Sequence, residues 1–249
     1  MKLITLNAWG GRMADKFGDF FNKYPDTDIW FFQEVYNSDK EEDHMIVPGY
    51  NTDFSFYNTL QKHLDSYKYY FCQVLKDFYG ISAFFKSHIE IIEKGEILVA
   101  KGNWENMRGS SEQDHDRKLQ WFKILLKGKK VLLMNIHLTH RPEGKRDSDK
   151  RLYQSDMIVS FMKMFDCPKI LVGDFNLLPD TESIKKIEMT GMRNLIKEYG
   201  VKSTRTEIYK KPHKFADYVF VSPEIKVRDL KILPDVVSDH SPIFLEFDL

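Results

Sequence analysis

Cysteine is scarce in this 249-residue chain: Cys72 and Cys167 are its only two. They lie far apart, fit no metal or redox spacing and make no disulfide framework. Long apolar runs are missing too, and none approaches the ~18 residues of a membrane span. The apolar opening of "MKLITLNAWGG" meets Asn7 almost at once, too soon for the core of a secretory signal. Net charge is absent, because 37 basic and 37 acidic residues cancel. No global positive field is available to gather nucleic acid, so any polyanion has to be held locally. Repeats, low-complexity tracts and Pro, Gly or Ser linkers are lacking as well. These absences exclude a disulfide-stapled fold and a helical membrane protein. The expectation is a soluble, cytoplasmic, monomeric protein with a single domain over residues 1–249 and no membrane span.

What the chain does have is strands. The segments "KLITLN", "DIWFFQEV", "GISAFFK", "IEIIEKGEILV", "QWFKILLK", "KKVLLMNIHL", "KILVGDFN", "ADYVFVS", "VRDLKILP" and "IFLEFDL" are mostly rich in Ile, Val, Leu, Phe and Tyr and bounded by turn residues. Helical periodicity is better in "GDFFNKYP", "RLYQSDMIVSFMKMF" and "TESIKKIEM", the last opened by Thr181 as a cap. Strands outnumber helices, and several neighbours can form hairpins, such as the pair meeting at "LKGKKV". That is an α+β pattern rather than a βαβ repeat. The charged segment "THRPEGKRDSDKR" reads first as a solvated loop leading into a helix.

The ends of these strands are unusual. "ILVGDFN" runs from four apolar or small residues into Asp174 and Asn176, "LITLN" delivers Asn7, and "IWFFQEV" carries Gln33 and Glu34. "VLLMNIHL" carries Asn135 and His137, Asp217 opens "DYVFV", and Asp239 and His240 precede the last strand. An Asx turn explains any single Gly-Asp-x-Asn, and a lone histidine at a strand end is more often packed than catalytic. Four carboxylates at the edges of apolar runs are harder to explain by packing, since a buried unpaired carboxylate is costly. Carboxylates crowded into one place call for a cation, and oxygen ligands suit a hard one such as Mg²⁺. Asn and His supply neutral or switchable hydrogen bonds around it.

The ordered set "LNAWGG", "FQEV", "NIHL", "GDFN", "ADYVFVS" and "SDH", from residue 6 to residue 241, resembles the endonuclease/exonuclease/phosphatase superfamily. Its members include abasic-site endonucleases, pancreatic-type DNases, deadenylases, tyrosyl-DNA phosphodiesterases, inositol polyphosphate 5-phosphatases and sphingomyelinases. The resemblance implies a four-layer α/β sandwich, two packed mixed β-sheets flanked by helices, with a metal site at one edge of the sheets. It makes Glu34 the principal metal ligand, with Asn7 beside it and Asp239 helping to bind or position the metal, Mg²⁺ or alternatively Mn²⁺. It assigns Asp174 to the attacking water, Asn176 to the phosphoryl oxygens, His240 to the phosphate, Asp217 to the His240 ring and His137 to the leaving group.

The implied activity is metal-dependent hydrolysis of a phosphodiester by activated water, with nucleic acid as the substrate. Small phosphoesters or lipid headgroups are the alternative, and a catalytically silent binding protein on the same fold is a third reading. Abasic-site endonucleases carry a tyrosine where His137 stands, which disfavours that subgroup. The extended basic patch of inositol phosphatases is not found. Trp9 is a candidate stacking surface for a base. Arg108, Arg117 and Lys145 are candidates to line the substrate path or hold flanking phosphates.

Overall fold

The computed structural model describes residues 1–38, 52–75, 78–103, 114–140 and 144–249. Its strands are β1 (Lys2–Asn7), β2 (Ile29–Tyr36), β3 (Tyr67–Leu75), β4 (Tyr79–Lys86), β5 (Ile91–Ala100) and β6 (Arg117–Leu126). They continue with β7 (Lys129–His137), β8 (Lys169–Asp174), β9 (Arg193–Asn194), β10 (Asp217–Val221), β11 (Lys226–Ile232) and β12 (Ile243–Asp248). Two six-stranded mixed sheets result, ordered β11-β12-β1-β2-β4-β3 and β5-β6-β7-β8-β10-β9. This is the α+β sandwich expected from the sequence.

Strand alternation builds two apolar layers from the first sheet. Leu3, Ile29, Phe31, Ala83 and Phe85 belong to the large core shared with the second sheet, where Phe122 lies 4.6 Å from Phe85 and 6.1 Å from Phe31, centroid to centroid. Their neighbours Ile4, Leu6, Trp30, Phe32 and Phe84 point the other way, into a separate cluster. That cluster is closed by Phe17, Phe20 and Phe21 of helix α1 (Phe17–Lys23) and by Phe56 and Leu60 of α2 (Phe56–His63). On the far side, α3 (Asp149–Met162) packs Ile158, Phe161 and Met162, and α4 (Glu182–Glu188) packs Ile184 and Ile187. A short α5 (Leu195–Glu198) completes that layer.

Four of the named elements escape the sequence pattern: β3, α2 and the very short β9 and α5. β3 carries exposed Lys68 and Tyr69 between half-buried neighbours and pairs only with β4, as an edge strand does. α2 is barely two turns long, too short for a clear period. The start of α4 is also corrected: Thr181 makes no capping hydrogen bond, because its hydroxyl donates to Leu178 O at 2.8 Å. Asp147 caps the helix instead, accepting from the Glu182 and Ser183 amides at 2.7 and 2.9 Å.

Each sheet holds a central parallel pair, β1 with β2 and β7 with β8, whereas the other pairings are antiparallel. Parallel neighbours deliver their carboxyl ends to the same edge, where open sheets place ligands. Between the sheets, just short of that edge, lies a buried amide network. Gln33 donates to Asn135 Oδ1 at 2.7 Å across the interface and to Thr5 Oγ1 at 3.2 Å. Asn135 Nδ2 faces Ser82 O at 3.2 Å and Gln120 Oε1 at 3.3 Å. Gln33 and Asn135 are thus accounted for as polar clamps between the sheets. Substituting Asn135→Ala leaves buried amides without partners and is expected to cost about 2–3 kcal/mol of stability. Urea unfolding reads this directly, and a change under about 0.5 kcal/mol would contradict it.

Candidate active site

At the end of β1 the Asn7 amide nitrogen donates to Glu34 Oε1 at 2.9 Å and to Asp174 Oδ2 at 2.8 Å, so one side chain ties the two sheets' carboxylates together. The chain then turns sharply through Trp9, Gly10 and Gly11, at φ 52°, 67° and 68°. The Trp9 amide closes on Asn7 Oδ1 at 2.9 Å. A Cβ on Gly11 would sit 2.6 Å from the Phe56 ring, so this turn needs glycine for space as well as for φ. Glu34 itself has φ 53°, at a shift in the β2–β4 register between Phe32 and Val35. A bulge of this kind re-aims a side chain. It separates Gln33, buried between the sheets, from Glu34, which keeps 25% of its side chain accessible at the edge.

In the second sheet His137 and Asp174 stand opposite each other at the ends of β7 and β8. Gly173, just before Asp174, has φ +134°, and a Cβ there would lie 2.0 Å from Ile136 O, so glycine is what lets the strands close at the site. His137 Nε2 lies 3.7 Å from both Glu34 Oε1 and Asp174 Oδ2, and among the described residues neither of its ring nitrogens has a hydrogen-bond partner. Asp174 Oδ1 accepts from the Asn176 amide at 2.8 Å. The Asx turn is therefore real, and it leaves the other carboxylate oxygen facing the site. Asn176, at φ 53°, accepts from His140 Nδ1 at 3.2 Å.

Asp217 opens β10 opposite Asp174. Both its oxygens lie 2.9 Å from His240 Nδ1. A carboxylate only accepts, so that nitrogen donates and Nε2 is aimed towards Asp174 Oδ2, 3.6 Å away. Ser238 is structural, since its hydroxyl donates to Asn7 O at 2.7 Å and receives the His240 amide at 3.1 Å. Arg205 holds Asp239 Oδ2 at 2.8 Å, while Asp239 Oδ1 lies 3.8 Å from His240 Nε2 and is buried with no hydrogen-bond partner among the described residues.

Electrostatics sort these groups by protonation. Burial opposes ionisation of Glu34, but His137, the Asn7 amide and His240 outweigh it and hold its carboxyl below the usual range. Asp174 is likewise disfavoured by burial yet held well below its ordinary value by His240, His137, Arg205 and Lys145. Burial, then the charge of Arg117, pushes the His137 imidazole down to about 4. His240 moves the other way: burial and Arg205 disfavour its charge, and Asp217, Asp239 and Asp174 more than compensate. Ionised carboxylates beside a neutral imidazole are the protonation states a divalent cation requires. Ligand atoms of Glu34, His137 and Asp174, and separately of Asp174, Asp217 and His240, lie within 4.8 Å of one another. With the partnerless His137 nitrogens, this donor set fits a metal ion.

The structure thus brings together Asn7, Glu34, His137, Asp174, Asn176, Asp217, Asp239 and His240. Trp9 lies two residues from Asn7, with the Arg12 guanidinium 5.1 Å from its ring. Arg117 does not reach an open path, because its side chain is 4% accessible and bound to Asp114 Oδ1 at 2.6 Å. Its link to the site is its charge acting on His137. Arg108 lies outside the described residues. Three basic residues of "KRDSDKR" are consumed internally. Arg146 pairs with Asp180, Lys150 with Asp114, and Arg151 donates to the carbonyls of Thr139, His140, Gly144 and Arg146. Sequence reasoning missed His140, Arg205 and the buried His115. His140 follows His137 by three residues, a hint in hindsight, whereas Arg205 sits in an irregular segment with no local signal.

A sandwich whose strand ends gather carboxylates, an amide and a His-Asp pair defines a phosphoesterase site. The chain belongs to the Endonuclease/Exonuclease/phosphatase family, whose model matches residues 4–240. Among solved structures it is similar to a mannosyl-6-phosphatase of Bacteroides thetaiotaomicron, at 18% identity, full coverage of both chains and a TM-score of 0.73. It is also similar to D. rerio TDP2 complexed with single strand DNA product, at 17% identity, TM-score 0.71 and coverage of 100% of this chain and 99% of that one. A third is the human Nocturnin catalytic domain, at 17% identity, TM-score 0.69 and coverage of 100% and 93%. A search of curated proteins finds no match.

Asp114 ties the flank of the site together, accepting from Arg117, Lys150 and Thr139. Burial opposes its charge, but Arg117, His115 and Lys150 hold its carboxyl well below the usual range. A carboxyl depressed in the folded state adds stability that is complete above the unfolded value of about 3.9 and is lost as pH falls through the folded one. Unfolding free energy measured from pH 5 downward should therefore fall more steeply for the wild type than for Asp114→Asn. Parallel profiles would rule the linkage out.

Proposed function

We propose that this protein is a Mg²⁺-dependent phosphodiesterase that cleaves nucleic acid with an activated water, acting as a monomer with one domain over residues 1–249. The observation that carries the reading is the Asn7 bridge between Glu34 and Asp174, with the partnerless His137 nitrogen 3.7 Å from each carboxylate. Glu34 would anchor the cation, with Asn7 beside it and Asp239 helping to position it. Mn²⁺ is the alternative ion. Such an ion neutralises the charge of the phosphoryl group and of the leaving oxygen.

The remaining steps belong to the side chains. Asp174, held ionised, orients a water and takes its proton as the water oxygen forms the new bond to phosphorus. Asn176 and the imidazolium of His240 donate to the phosphoryl oxygens, where charge grows in the transition state. Asp217 fixes the His240 ring through Nδ1. The bond from phosphorus to the ester oxygen breaks as that oxygen accepts a hydrogen bond from His137. Trp9 offers a ring on which a neighbouring base stacks.

A small phosphoester is the second reading, supported by the internal pairing of "KRDSDKR", which removes one basic track for a long strand. A cleavage panel with and without EDTA separates the two readings. It covers single-stranded and duplex DNA, RNA, a dinucleotide, a 5′-tyrosyl phosphodiester and a phosphomonoester. The nucleic-acid reading predicts that longer single strands outperform the dinucleotide and that the advantage shrinks as salt rises. Equal rates at all lengths and ionic strengths would contradict it.

Two variants test the chemistry. Glu34→Ala is expected to lose at least about 10³-fold in kcat and to weaken Mg²⁺ binding while the fold survives. Undiminished turnover in metal-free buffer would overturn the metal role. Asp217→Asn and His240→Gln should be strongly non-additive, the double variant losing little more than the worse single one, because the two act as a unit. A double loss equal to the product of the single losses would show that they act separately.

A further inference from the structure

Beside the His240 arm of the site, three cations surround one aromatic ring. Arg205 lies 4.3 Å from the centroid of Tyr209, Lys214 5.3 Å and Lys145 5.4 Å. Among the described residues only Arg205 of the three has a carboxylate partner, Asp239, and its buried Nε has no hydrogen-bond partner. The two ammonium groups donate to backbone carbonyls: Lys145 to Phe215 O and Lys214 to Tyr209 O, each at 2.5 Å. Neither is within salt-bridge distance of a carboxylate among the described residues. Lys145 is 6% exposed, and burial followed by the charge of Arg205 pushes its ammonium down to about 8 despite the nearby acids. Exposed Lys210, Lys211 and His213 continue the basic character outward along the same segment.

Like charges gathered in a partly desolvated place cost free energy unless an anion joins them. A ring face lowers that cost by cation–π attraction but does not neutralise it. Lysine and arginine donors arrayed round a half-buried tyrosine are the chemistry that recognises phosphate. The reacting phosphate already has its own donors in His240 and Asn176.

We propose that Lys145, Lys214 and Arg205, gathered round Tyr209, form a second anion subsite beside the reacting centre that takes a further phosphate carried by the same substrate. This rests on the phosphoesterase reading of the neighbouring site, and it explains how a chain without net charge holds a polyanion locally. The further phosphate is either that of an adjacent nucleotide or a second phosphomonoester on a small molecule.

Propane-1,3-bisphosphonate and propylphosphonate, whose carbon–phosphorus bonds are not hydrolysed, test the subsite without any need for turnover. In calorimetric titrations of the whole protein in Mg²⁺ buffer, the bisphosphonate should bind at least about tenfold more tightly than the monophosphonate, the gain of one charge-assisted contact. In Lys145→Gln and in Lys214→Gln that ratio should fall towards one. Lys214 is half-buried and packs on a surface ring, so its variant keeps the test available if Lys145→Gln fails to fold. A ratio near one in the wild type, or a ratio unchanged in Lys214→Gln, overturns the subsite.

Thymidine 3′,5′-bisphosphate and glucose 1,6-bisphosphate are then used to displace the bisphosphonate. Displacement by either supports the subsite and identifies its carrier, and displacement by neither overturns it. A protein that prefers the bisphosphonate but cleaves no diester keeps the subsite and refutes the nuclease reading. One that cleaves dinucleotides without the preference does the reverse.

Discussion

The Asn7 amide nitrogen has two hydrogens and spends them on two carboxylates, Glu34 of its own sheet and Asp174 of the facing one. Almost everything else about the site depends on that bridge. Two acids this close repel each other, and the amide makes their proximity tolerable in the absence of a cation. The bridge also demands that β1, β2 and β8 end at one level. The parallel pairs at the centre of each sheet meet this demand, and the Gln33–Asn135 contact behind them sets the spacing of the sheets. The closeness of these two carboxylates is thus a property of sheet packing.

Around that bridge, protonation states are divided by position. His137 has no carboxylate within hydrogen-bond distance, and burial, then the charge of Arg117, pushes its imidazole down to about 4. His240 is gripped by Asp217, and its imidazole is shifted up. Two imidazoles of one site are in this way shifted in opposite directions. The same division explains the buried arginine at position 117. Its contribution is an electrostatic one, delivered through the interior, and its Asp114 partner keeps it there.

Much of this was legible in the sequence, for a physical reason. A strand buried on both faces reads as an apolar run, so a polar residue at its end stands out, and the ends of β1, β2, β7 and β8 all carry this signal at Asn7, Glu34, His137 and Asp174. The order of the motifs added the fold. What stayed hidden depends on contacts between segments far apart in the chain. Asp147 caps a helix 35 residues later, Arg205 finds Asp239 34 residues away, and neither lies in a periodic segment. Lys145, Arg146, Lys150 and Arg151 read as a solvated basic loop, whereas burial and internal pairing decide their roles. The edge strand β3 was missed because one of its faces is wet, which dilutes the apolar signal.

Local neutrality reconciles the composition with the chemistry. The chain has no net charge, yet it sets a carboxylate cluster at Glu34 and Asp174 against a cationic cluster at Tyr209, and a phosphate ester with its counterion matches that pair of fields. Crystals grown with Mn²⁺ and measured at a wavelength where manganese scatters anomalously test this centre most directly. The account predicts a strong anomalous peak at the Glu34 carboxylate, beside Asn7. A well-ordered site with no peak there, or a peak at surface acids alone, would contradict it.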